Sequence, residues 1–79
     1  MTKEHLAKEA SRLLSDDVLI GALASIREEA LDALATADAD DKTEILRQQA
    51  IVAVVDRFGG VLRRHIDALN VSRKPRAVA

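Results

Sequence analysis

Cysteine, tryptophan and tyrosine are absent from this 79-residue chain, and phenylalanine occurs once, at Phe58. Without cysteine there is no disulfide framework and no thiolate metal site. Without tryptophan or tyrosine, the core has to be built from Leu, Ile, Val and Ala. Such a core lets helices approach closely but forgoes the large areas that aromatic rings bury. Proline occurs once, at Pro75, and glycine three times, at Gly21, Gly59 and Gly60. Long apolar runs are missing too. The strongest, Val18 to Ile26 and Ala50 to Val55, fall well short of the roughly 20 residues that a membrane span requires. The opening residues Met1-Thr2-Lys3-Glu4-His5 lead into an amphipathic pattern rather than the apolar core of a secretion signal. The expectation is a soluble protein of the cytoplasm or of a virion, with no membrane contact.

What is present is helical periodicity. From Asp41 to Leu69, the residues Ile51, Val55, Phe58, Leu62, Ile66 and Leu69 recur at alternating spacings of four and three, the rhythm of a helix with one face committed to a partner. Val52, Val54 and Val61 widen that stripe to about half the circumference at roughly 100° per residue, more than one antiparallel neighbour covers. This helix is therefore expected to touch two others. A similar rhythm runs through Leu19, Leu23, Ile26, Ala30, Ala33 and Ala37, with Ile20, Leu31 and Leu34 beside it. Its side chains shrink toward Ala37, so two helices can lie closer at that end. A shorter pattern, Leu6, Ala10, Leu13 and Leu14, precedes it and is too brief to stand alone as a helix.

The boundaries follow from capping chemistry. Thr2 suits the N-cap of the first helix, with Glu4 in a first turn where negative charge complements the dipole. Ser15-Asp16-Asp17 interrupts the pattern, and Asp16 is the expected N-cap of a second helix ending near Ala37. The competing reading is one unbroken helix from Thr2 to Ala37. Thr36-Ala37-Asp38-Ala39-Asp40-Asp41 has the length and polarity of a turn between antiparallel helices. Asp41 with Glu44 three residues on predicts a capping box. Closure about Ala39 sets facing residues summing to about 79 or 80, so Gly59 and Gly60 fall opposite Leu19 to Gly21. Glycines on both helices at one level would permit close backbone approach. The pair is expected inside a continuous or kinked helix, the alternative being a break between Phe58 and Val61. Asn70 is the expected C-terminal cap, followed by a basic tail whose Pro75 cannot continue a helix. The chain thus divides into a hairpin domain, residues 1–70, and a tail, 71–79.

Charge is unevenly spread. Met1 to Asp56 carries six Lys/Arg against twelve Asp/Glu, whereas Arg57 to Ala79 carries six Lys/Arg against Asp67 alone. Such asymmetry hints at an electrostatic partner, although the two sides of an antiparallel hairpin can also neutralise each other.

No catalytic constellation is visible. His5 lies on a polar face, and His65 at the edge of an apolar stripe with no nucleophile or acid placed beside it by spacing. His5 and Glu9 stand at i,i+4 without a third metal ligand. Asp38, Asp40 and Asp41 superficially resemble a calcium loop. However, Thr43 stands where its glycine belongs and Gln49 where its closing glutamate belongs. No cofactor, no metal and no enzymatic activity are expected. The basic residues Arg57, Arg63, Arg64, Arg73, Lys74 and Arg76 support an alternative, contact with nucleic-acid phosphates. Against it stand an acidic body and the lack of stacking aromatics.

Leu13-Leu14-Ser15-Asp16-Asp17-Val18-Leu19, followed by Asp41-Lys42-Thr43-Glu44 at the start of an amphipathic helix, resembles small helical-hairpin proteins encoded among the virion genes of tailed bacteriophages. Those tend to show a Leu-Leu pair, an Asn-Pro or Asp-Pro helix start and an acidic loop ending in Asp-Thr-Glu. Here Asp17 stands in the proline position. The resemblance implies an accessory virion or assembly protein without enzymatic activity, and it transfers no functional residue.

The expectation is an all-α antiparallel hairpin with a short N-terminal helix, assembling as a bundle. It would act by packing against itself or a larger virion or host protein. The interface would draw on Leu19, Leu23, Ile26, Ile51, Val55, Phe58, Leu62 and Ile66.

Overall fold

The computed structural model describes residues 1–73, with side chains through Val71. Three helices make up the fold: α1 (Lys3–Leu14), α2 (Asp17–Thr36) and α3 (Lys42–Arg73). No strand occurs among the described residues. The protein is all-α. α3, about 48 Å long at 1.5 Å per residue, is the spine. Both α1 and α2 pack on it and touch each other little, so the wide apolar stripe of α3 does serve two neighbours.

The helix starts are those that capping chemistry predicts. Thr2 is extended, and its Oγ1 accepts from the His5 N–H at 3.1 Å. Asp16 breaks α1 from α2, its Oδ1 accepting from the Val18 and Leu19 N–H groups at 3.0 Å each. Two orphan donors of α2 are thereby satisfied by one carboxylate. At the start of α3, Asp41 Oδ1 accepts from the Glu44 N–H at 3.1 Å, but the capping box is only half formed. The Glu44 carboxylate is taken by Arg47 and Gln48 instead, and the Asp41 N–H donates to the Asp38 carbonyl.

Three expectations need correction. The helix does not stop at Asn70, because α3 continues to Arg73; with no glycine or positive φ near Asn70, nothing there turns the backbone. Gly59 and Gly60 lie in unbroken helix, but they are not points of close approach. Nothing lies within 4 Å of a Cβ placed at Gly21, Gly59 or Gly60. The register also differs from symmetric closure about Ala39. Arg27 Nε donates to Asp56 Oδ1 at 2.9 Å, about one turn beyond the level of Val52 and Ala53.

Burial is thin. Among the described residues, Ala7, Ala10 and Ala30 are buried and no large side chain is fully enclosed. α1 and α2 thus seat on α3 through alanines, while the larger aliphatics are half-covered. The radius of gyration is 17.4 Å, against about 11.6 Å for a compact domain of this length.

Candidate interaction surface

The side chains of α2 and α3 close on one flank of their seam and stay open on the other. The closed flank carries the Arg27–Asp56 ion pair. A step of about 100° per residue carries Ile26 to the opposite flank of α2 and Val54 to that of α3. There an apolar groove with a cavity volume of about 450 Å³ opens between the helices. α2 supplies Leu23 and Ile26, and α3 supplies Ala50, Ile51, Val54, Val55 and Phe58, with Arg47 at one end. The surface continues along α3 through Val61 and Leu62, beside Arg57. α1 sits farther along, its Glu4, Ala7, Lys8 and Ser11 face bordering Ile66 and Leu69.

The predicted interface residues fall into two groups. Leu19, Leu23, Ile51, Val55, Leu62 and Ile66 are half-buried, so much of their apolar surface is already covered within the chain. Ile26 and Phe58 are exposed and line the groove. Val54, 65% exposed, is the most exposed of the large apolar groove residues and was not among those singled out. Its signal was legible: Arg47, Ala50, Val54, Phe58 and Val61 step by three and four along a second stripe. Spacing alone does not say which flank of the wide stripe α2 would leave uncovered.

Of the basic residues, Arg57, Arg63 and Arg64 are exposed. Arg57 and Arg64 share a side, a heptad being about 20° short of two turns, whereas Arg63 lies about 100° from Arg64. The side chain of Arg73, and Lys74 and Arg76 entirely, lie outside the described residues. Among the described residues, ion pairs join Arg12 to Glu9 and Arg47 to Glu44 within helices and Arg27 to Asp56 between α2 and α3. None involves Arg57, Arg63 or Arg64.

The candidate chemistries are not assembled into a site. His5 is exposed and His65 half-buried. Among the described residues no three His, Asp or Glu side chains gather as metal ligands. The acids of the turn serve the backbone: Asp38 Oδ1 accepts from the Asp40 N–H at 3.1 Å, and Asp41 caps α3. Glu9 has its pKa lowered below the ordinary carboxylate value, first by the hydrogen bond from Arg12 and then by the charge of that guanidinium. No helix of the described residues is long and apolar enough to cross a membrane. No family model matches the chain, and neither a curated protein nor a solved structure shows significant similarity to it.

Proposed function

We propose that this protein is a non-enzymatic interaction module that works by burying helix surface against a protein partner. The observation supporting the reading is the groove between α2 and α3. It is lined by aliphatic side chains and Phe58, on a chain whose folding encloses only alanines among the described residues. Burying a large apolar side chain from full exposure contributes about 1.5–3 kcal/mol; the groove side chains, already partly covered, each offer a fraction of that, and several lie along one seam. The setting proposed is the assembly of a phage particle, a placement that rests on the sequence resemblance.

Phe58→Asp puts a charge into the proposed contact. Light scattering at several concentrations, together with a thermal melt, is expected to show loss of assembly or a lowered melting temperature. A variant that keeps both the mass and the melting curve of the native chain overturns the reading.

A second reading, phosphate binding by the basic residues, is favoured by the exposed Arg57 and Arg64 on one side of α3. It predicts salt-sensitive binding of DNA or RNA that weakens when Arg73, Lys74 and Arg76 are neutralised. A gel shift without retardation at low salt removes it.

A further inference from the structure

Resting on the interaction reading above, we infer that the occupant of the groove is a second copy of this chain. It docks groove to groove, with the acidic α2 of each copy lying along the basic α3 of the other. Area and charge carry the inference together.

The chain exposes 6317 Å², whereas a folded monomer of its mass exposes about 4,700 Å². Setting aside about 950 Å², the most that six residues of fully extended chain show, leaves an excess of about 670 Å². A standard interface removes about 800 Å² from each partner. The surplus of one copy is therefore close to what one stable contact needs.

Charge selects the arrangement. α2 carries Asp17, Glu28, Glu29 and Asp32 against Arg27 alone. Through Val71, α3 carries five Lys/Arg (Lys42, Arg47, Arg57, Arg63 and Arg64) against Glu44, Asp56 and Asp67. On the open flank, α2 presents Ala22, Ile26, Glu29 and Ala33 at helical spacing, and α3 presents Val54, Phe58 and Val61 with Arg57 at the outer edge. Two hairpins stacked face to face have two symmetric choices. If α2 lies on α2, the Glu29 carboxylates of the two copies are brought to the same face. If α2 lies on α3, Glu29 approaches Arg57, and the small Ala22 and Ala33 meet the larger side chains of α3.

The register of the hairpin permits that approach. With Arg27 beside Asp56, Glu29 is level with about Val54, less than one turn from Arg57. Neither residue has an ion-pair partner within its own chain among the described residues. The open seam runs along α3 from Arg47 to Leu62, about 23 Å at 1.5 Å per residue. It ends short of the α1 contact at Ile66 and Leu69.

The test uses the full chain in sedimentation equilibrium and light scattering up to millimolar concentration, with helix content followed by circular dichroism. A dimer is expected. Val54→Asp is expected to weaken it about 100-fold while leaving helix content unchanged, because Val54 is largely exposed in the single copy. Leu46→Asp, on a residue equally exposed (64%) but outside the groove, leaves dimerisation unchanged. Glu29→Arg and Arg57→Glu each weaken association by about five- to tenfold, and the two together restore it to within about twofold. A chain monomeric throughout, or a dimer indifferent to Val54→Asp, overturns the proposal. A double reversal that fails to restore association overturns the α2-on-α3 pairing. A monomer that still binds an apolar dye, with binding lost in Val54→Asp, leaves the interaction reading standing for another protein. A monomer that binds none removes both.

Discussion

Asp16 shows most clearly how one side chain shapes this chain. Its carboxylate satisfies two N–H groups of α2, and the alternative of one long helix from Thr2 is thereby excluded. Asp16→Ala is expected to cost about 1 kcal/mol, a fall of about 4–8 °C in a thermal melt for a domain of this size. Gly60 offers the opposite sign. A methyl there meets nothing within 4 Å, and glycine costs about 1 kcal/mol relative to alanine inside a helix. Gly60→Ala should therefore raise the melting temperature; a lower one would show that this side of α3 is covered in solution. Glu9 supplies a pH signature. Because Arg12 lowers its pKa in the folded chain, its stabilising contribution is present above the ordinary carboxylate range. It fades as pH falls through the lowered value. An NMR titration should place the Glu9 midpoint below that of the Arg12→Gln variant.

Between elements, the contacts are alanine seats rather than interlocking large side chains. Ala30 is 1% exposed where α2 lies on α3, and Ala10 is 2% exposed in α1. Enlarging either site has no space to draw on, so Ala30→Leu is expected to destabilise by about 1–3 kcal/mol, read in a urea melt. The Arg27–Asp56 bridge is a different kind of contact. Both partners are about half exposed, so water screens the attraction and Asp56→Asn should cost no more than about 1 kcal/mol. That bridge matters more for which flank of the seam is closed than for the strength of closure.

At the scale of the molecule, an elongated three-helix chain with no large side chain enclosed among the described residues is expected to have little stability of its own, since small domains bury a modest share of their surface. If copies pair as proposed, association becomes part of folding. The melting temperature is expected to rise with protein concentration, as mass action requires when only the folded state binds. The dependence should be lost in Val54→Asp. A melting temperature independent of concentration would instead describe a self-sufficient single copy.

The helices, their starts at Thr2, Asp16 and Asp41, and the two-neighbour role of α3 were legible in the sequence. They rest on local physics, periodicity within one helix and hydrogen bonds across three residues. The half-formed capping box, the helix running past Asn70 and the glycines without neighbours were not. Each depends on which competing partner a group meets, or on whether anything meets it, once the chain has closed. The same holds for the groove. Sequence set the width of the apolar stripe on α3, but only the docking of α1 and α2 decided which flank stays uncovered, because a helix pattern shows how much surface must be hidden and not where its neighbours will lie.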